Sequence, residues 1–335
     1  MASKKSKKRA KSPAKTGSDF QLMKYKWWVV GAIAVYALTI LAFNYKVFLK
    51  DRMKSDVLVQ EISHFSGTEK PCGSFTAEDV TPVGADKFAV SDSTNRRILL
   101  FDRNNNFIRA WGKEGKGPRE FSGLMGISSD DHGNVYAIDA WSAIIRGYTE
   151  KGELFQSVPL TMGCYGPRGI LWDSPNFIIS DTGSHRLLKV TANGELVEKW
   201  GVKQSDCKQC LNNPCSAIPD GKGNYYVADF DNRRVALAAP GGKLIKLIDV
   251  EARPNDLALD AKGNLYVCSA EGAIVKVFNA DGDFIGNLKD IKGEDMFSTV
   301  RGMCFAPDGT LLLAENGNVA QVKILPPGTK IPQQQ

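Results

Sequence analysis

Apolar and polar residues alternate along most of this chain in short runs, and each run is closed by a turn. A turn, an alternating apolar run and an acid or small polar residue recur together as DKFAVSD, GNVYAID, PNFIISD, GNYYVAD, GNLYVCS and GTLLLAE. Counted from Lys87, Asn134, Asn176, Asn224, Asn264 and Thr310, these copies stand 47, 42, 48, 40 and 46 residues apart. A period of about 40–50 residues is that of a repeat architecture whose units stack in a row or around an axis.

Each copy sits in a larger unit. Residues that tolerate positive φ precede it (DDHG, DGKG, DAKG, APDG), which predicts a tight hairpin turn. A second strand follows (RILLFD, IIRGYT, RLLKVT, RVALAA, IVKVFN), then another turn and a last strand such as FIRAWG, ELVEKWG or KLIKLID. With an apolar strand ahead of the first turn (GILWD, DLALD, GMCFA), a unit holds four short strands, and no helical period intervenes. A small sheet that is apolar on both faces stays wet alone; several packed face to face around an axis bury both. The pattern therefore predicts an all-β fold, a six-bladed β-propeller over residues 56–325. Its sixth unit reaches VAQVKI and runs into LPPGTKIPQQQ without a fourth strand, whereas DVLVQEISHFSG, residues 56–67, alternates like ELVEKWG. That upstream segment is expected to complete the last blade, leaving 326–335 as a flexible tail.

The segments GKGPREFSGLMGISSDDHGNVYAIDAWSAIIRGY (115–148) and VADFDNRRVAL (227–237) resemble NHL repeats, which combine a Gly-Ile strand, a Gly-Asn turn, a Val-Ala-Asp strand and an Asn-x-Arg element. The last element recurs at Asn95 with Arg97, His185 with Arg186, and Asn232 with Arg234. The resemblance covers roughly residues 70–325. Units five and six depart from it, with Ser269 in the acid's place and Glu315 and Gln321 later on. The Trp-Asp and double-Gly marks of the WD and kelch types do not recur from unit to unit. Some NHL proteins bind RNA through a basic propeller face, and some six-bladed relatives of the lactonase and amidating-lyase kinds hold a divalent cation with Glu, Asn, Asp or His near the axis.

Charge changes the picture at the N-terminus. The chain has 335 residues and a formal net charge of +6, but residues 1–26 alone hold nine Lys or Arg and one acid, so the remainder sums to −2. The basicity therefore belongs to a tail too polar to fold, and no nucleic-acid role is expected of the propeller. After it, residues 27–45 are uncharged for nineteen positions, with Trp27, Trp28, Phe43 and Tyr45 at the ends. As a helix this run spans about 28 Å at about 1.5 Å per residue, close to a bilayer's hydrocarbon thickness. The expected order is a basic cytoplasmic tail (1–26), a transmembrane helix (27–49), a linker (50–55) and the propeller. The basic tail would stay inside and the propeller outside, in the periplasm or beyond the cell, although Lys46, Lys50, Arg52 and Lys54 follow the span.

An exterior location permits disulfides. Of seven Cys residues, Cys207, Cys210 and Cys215 cluster in DCKQCLNNPC between the third and fourth blades. Haem attachment is excluded because Leu211 stands where His is required, and a zinc site lacks a fourth nearby ligand. Loop staples are expected, with Cys164, in an equivalent connection, as a partner for one of the cluster; Cys268 and Cys304 fall in strands as apolar fillers. His64, His132 and His185 occupy different repeat positions and form no shared site.

In a propeller the start of each inner strand faces the axial funnel. Alignment of the repeats places there Glu78 and Asp79, Met125 and Gly126, Pro167 and Arg168, Cys215 and Ser216, Asn255 and Asp256, and Arg301 and Gly302. The candidate ligand-binding residues are thus Glu78, Asp79, Arg168, Asn255, Asp256 and Arg301, read as ion pairs sealing the channel or as an anion-contacting mouth. The alternative is a divalent cation held by Glu78, Asn255 and Asp256, as in a metal-dependent hydrolase or lyase. The repeated acids Asp92, Asp139, Asp181 and Asp229 are assigned to structure, meeting turn N–H groups or the Arg of their own repeat. The leading functional reading is a non-catalytic scaffold without cofactor that binds other, membrane-associated proteins.

Overall fold

A computed structural model describes residues 56–201, 209–290, 292–295, 297–327 and 329. The basic tail, the apolar span and the linker lie outside these residues, as do Cys207 and most of the C-terminal tail. Among the described residues no helix is long and apolar enough to cross a membrane.

Alternation becomes sheet throughout. Four antiparallel four-stranded sheets run in chain order. They are β2 to β5 (Ala77–Val83, Lys87–Asp92, Arg97–Asp102, Phe107–Trp111) and β6 to β9 (Leu124–Ser129, Val135–Asp139, Ile144–Tyr148, Leu154–Pro159). The next are β10 to β13 (Gly169–Asp173, Asn176–Asp181, Arg186–Thr191, Leu196–Trp200) and β14 to β17 (Pro214–Pro219, Tyr225–Asp229, Arg234–Ala238, Leu244–Asp249). An eight-stranded sheet joins β18 to β21 (Pro254–Leu259, Leu265–Ser269, Val275–Phe278, Phe284–Lys289) to β22 to β24 (Val300–Phe305, Thr310–Glu315, Asn318–Ile324) through β1 (Val57–Ser66). The upstream strand pairs antiparallel with β24 from Val59↔Ile324 to Ser66↔Asn318, and touches β21 in parallel only at Val57↔Leu288 and Leu58↔Lys289.

The core lies between consecutive groups of strands. Ile98, Leu100 and Trp111 of the first sheet pack on Phe121, Leu124, Ile127 and Tyr148, and the series continues to Val275, Val277, Met303 and Leu313. The ring then closes on itself: Phe65, Leu312, Ala314 and Val319 pack against Phe75, ahead of β2, and Phe88, Leu99 and Phe101 of the first sheet. Phe65 and Phe101 rings lie 5.1 Å apart. Each buried Phe or Leu stabilises by about 1.5–3 kcal/mol, so the sheets hold one another. The fold is an all-β propeller.

Its two ends differ. At one, hairpins are tied by an Asp that accepts twice from the Asn four residues on: Asn134 N and Nδ2 reach Asp130 at 2.9 and 2.8 Å, and Asp102, Asp220 and Asp260 repeat the device. At the other end each inner strand begins beside the end of its neighbour, as in Ala77↔Asp92. Longer connections, among them 67–76, 112–123 and 160–168, arrive at that end.

The repeated acids sit there, fully buried, and the structural reading fits their contacts. Asp92, Asp181 and Asp229 accept from Nε of Arg97, Arg186 and Arg234 at 2.7–2.8 Å, and from backbone N–H groups of the arriving loop. The turn after each acid puts Arg96, Ala143, His185 and Arg233 in the left-handed region at φ of 51–56°. This register corrects one alignment made from sequence: His185 matches Arg96 and Arg233, and Ser184 stands in the Asn place.

Candidate functional site

The inner strands β2, β6, β10, β14, β18 and β22 line a funnel of about 370 Å³. Register identifies equivalent wall positions, because Asp79↔Ser91, Gly169↔Ser180, Asp256↔Cys268 and Gly302↔Ala314 occupy the same place in their hairpins. Arg168 and Gly169, rather than Pro167 and Arg168, are therefore the third pair. Pro167 precedes the lining, and the sequence alignment was one residue out there.

Small residues make the close approach. Gly126 N–H donates to the Arg168 carbonyl at 2.9 Å. A Cβ on Gly302 would stand 2.6 Å from the Cα of Asp79, so only glycine fits between these strands.

One carboxylate organises the mouth. Glu78 accepts Nη2 of Arg168 at 3.2 Å on one oxygen and Nη1 of Arg301 at 3.0 Å on the other. Arg168 Nη2 also donates to Oδ1 of Asn255 at 3.3 Å, and the Asn255 amide donates to the Arg301 carbonyl. Four of the six predicted residues thus meet in one network drawn from β2, β18, β22 and the residue before β10. Arg301 Nε is buried without a hydrogen-bond partner.

The other two predicted residues serve the wall. Asp79 accepts from Val80 N and, across to β6, from Ile127 N, both at 2.8 Å; Asp256 accepts from Met303 N of β22 at 2.7 Å. Each carboxylate pins its strand to the next. Burial raises both acids, Asp79 well above the usual carboxylate range, with Asp256 as a second cause, and Asp256 to about 6.

A cation cage does not emerge from this geometry. Both oxygens of Glu78 are held by guanidinium groups, Asn255 Oδ1 by a third N–H, and one oxygen of Asp256 by backbone. Among the described residues no group of three or more His, Cys, Asp or Glu side chains is arranged to hold a metal ion.

The cysteines correct the expected staples. Cys210 is disulfide-bonded, but Cys164 and Cys215 are free thiols, as are Cys72, Cys268 and Cys304. Cys215 instead lies in the funnel wall, 3.5 Å from Nη1 of Arg168.

Beside the funnel mouth runs a groove of about 600 Å³ that shares Arg168 and Cys215 with it and is edged by Trp141, Tyr165 and Phe230. The sequence reading missed it. The available signal was the break in the turn pattern, where Trp141 stands against Thr94, Gly183 and Asp231 in the other units.

Comparison with known proteins agrees with the architecture. A family model described as a 6-bladed beta-propeller matches residues 72–160. No curated protein matches the chain. Among solved structures, a streptogramin B lyase is similar at 13% identity and a TM-score of 0.56, covering 80% of this chain and 97% of that one. A virginiamycin B lyase from Staphylococcus aureus is similar at 11% identity and 0.56, covering 78% and 99%. A protein of unknown function from Bacteroides thetaiotaomicron VPI-5482 reaches 0.59 at 13% identity, covering 81% and 73%. At these identities the likeness establishes the propeller fold alone.

Proposed function

We propose that this chain is a membrane-anchored, extracytoplasmic, six-bladed propeller of NHL type that acts as a non-catalytic binding scaffold for membrane-associated proteins. The sixfold count follows if the eight-stranded sheet is divided at its two-pair parallel contact, giving β18 to β21 as one blade and β22 to β24 with β1 as another. The uncharged run 27–45 would be the anchor and the basic tail before it the cytoplasmic side.

The observation that carries this reading is the Glu78 network. Its carboxylate is shared by Arg168 and Arg301, which makes a fixed recognition surface at the end where the long loops gather and leaves Glu78 no role as a free acid or base. Crosslinking in native membranes followed by mass spectrometry tests it. Specific crosslinks from the loops of that end to membrane proteins are expected, and protease added outside intact spheroplasts should digest the propeller. Digestion only in inverted vesicles would overturn the topology, and crosslinks confined to the Asp-tied hairpins would overturn the assignment of the face.

A catalytic reading has one observation in its favour: Asp79 and Asp256 share the funnel and both hold their protons more tightly than ordinary carboxyls. A metal-dependent hydrolase or lyase using Glu78, Asn255 and Asp256 requires these groups to leave Arg168, Arg301 and Met303. Stoichiometric divalent metal in the purified chain, lost in Asn255→Ala, would establish that alternative.

A further inference from the structure

Two features meet at Arg168. The funnel mouth has two guanidinium groups and one carboxylate facing each other, a formal excess of one positive charge. The remaining funnel carboxylates, Asp79 and Asp256, direct oxygens at backbone N–H groups of the wall. On Arg301, Nη1 is engaged by Glu78 while Nε is buried without an acceptor. That side of the guanidinium, Nε with Nη2, is the edge that grips a carboxylate with two parallel hydrogen bonds.

The groove leading outward from Arg168 supplies the second feature. Trp141 and Tyr165 are 73% and 76% exposed, yet neither ring is loose. A Cβ on Gly123 would come 2.7 Å from the Trp141 ring, and one on Gly183 would collide with Cδ1 and the backbone carbonyl of Tyr165, so each residue abuts a glycine. Arg96 covers Trp141 from 4.9 Å, and Tyr165 N–H is held by Asp181 at 2.8 Å. Large rings fixed in place and left open to water are costly as surface and well suited to stacking.

We propose that funnel mouth and groove form one binding site for a small organic acid, a carboxylate joined to a flat or apolar ring. The carboxylate sits on Arg301 and Arg168, and the ring body lies along Trp141 and Tyr165. Recesses of about 300–1,000 Å³ take ligands of that size. The site goes beyond the scaffold reading and does not depend on it, since a partner protein and a small acid are measured separately.

The test is isothermal titration of the full-length chain with 2-naphthylacetate and its neutral amide, 2-naphthylacetamide. The acid is expected to bind at least about tenfold more tightly, the yield of one charge-assisted pair. Arg301→Gln should abolish that preference, and Trp141→Ala or Tyr165→Ala should weaken acid and amide alike while thermal unfolding stays unchanged. Equal affinity for acid and amide, no saturation by the acid, or unaltered binding in both aromatic variants would overturn the proposal. Should Arg301→Gln fail to fold, the acid-to-amide ratio of the unaltered chain decides.

Discussion

Arg146 donates through Nη1 to Asp139 at 2.9 Å with the two side chains 2% and 0% exposed, whereas in the first sheet Arg97 meets Asp92 while 23% exposed. The second sheet carries Ile144 where the first, third and fourth carry their Arg, so its cation comes from two residues further along β8 and reaches the same acid from inside. Phe121 lies 5.2 Å from the guanidinium and Pro118 accepts its Nε–H.

That difference sets unequal costs. Asp139→Ala strands a buried guanidinium and should lower stability by about 3–5 kcal/mol. Asp92→Ala leaves Arg97 able to reach water and should cost less. Denaturant melts of the two variants give the comparison directly, and equal midpoints would contradict it.

The closing strand yields a second expectation. Phe65→Ala removes a ring packed against Phe75 and Phe101 and should cost about 3–5 kcal/mol. Deleting residues 56–66 should cost more, because β24 and the first sheet lose their cover together. Thermal unfolding measures both, and an unchanged midpoint after the deletion would show that the ring closes without β1.

The funnel acids predict a pH response. Burial lifts the Asp256 carboxyl to about 6 and Asp79 further above its ordinary value. A folded-state value above the unfolded one, about 4, means that the folded chain binds more protons in that interval, so stability falls as pH rises from about 4 through about 6. The Asp130, Asp139 and Asp220 carboxyls are shifted downward and act oppositely, withdrawing their stabilisation as pH falls below about 4. Melting temperatures across this range should therefore fall less steeply between pH 5 and 7 in Asp256→Asn than in the unaltered chain.

The free thiols give a labelling order. Burial pushes Cys164 up to about 12 and Cys215 to about 11, and raises Cys268 and Cys304 well beyond an ordinary thiol. Cys72 is raised too but is less enclosed. Iodoacetamide at pH 8 should modify Cys72 first and the other four only on unfolding, as read by mass spectrometry. Rapid native modification of Cys215 would mean that the funnel wall opens.

The strands were legible because every unit repeats one alternation, and a repeat averages out local ambiguity. DVLVQEISHFSG could be assigned to the last blade since a unit was visibly short of a strand. The funnel was legible wherever hairpin length was constant, and Glu78, Asn255 and Arg301 were found that way. It slipped at Pro167 because the connection before β10 differs from its counterparts, and register lives in backbone pairing rather than in composition. The disulfide partner assigned to Cys164 failed for a related reason: equivalent loops are neighbours in a repeat, but proximity of loops does not set the thiol-to-thiol geometry a cystine demands. Arg146 was invisible because its place is a departure from the pattern that revealed everything else.

Strand β1 begins the ring in sequence and finishes it in space, answering to β24 at the far end of the chain. A ribosome must therefore release almost the entire polypeptide before the clasp can shut, and until then the ring's first strand waits without either of its partners. Any tension applied at the N-terminus of the finished molecule would load that same ladder along its length, so the last contact made during synthesis is also the first to feel a pull.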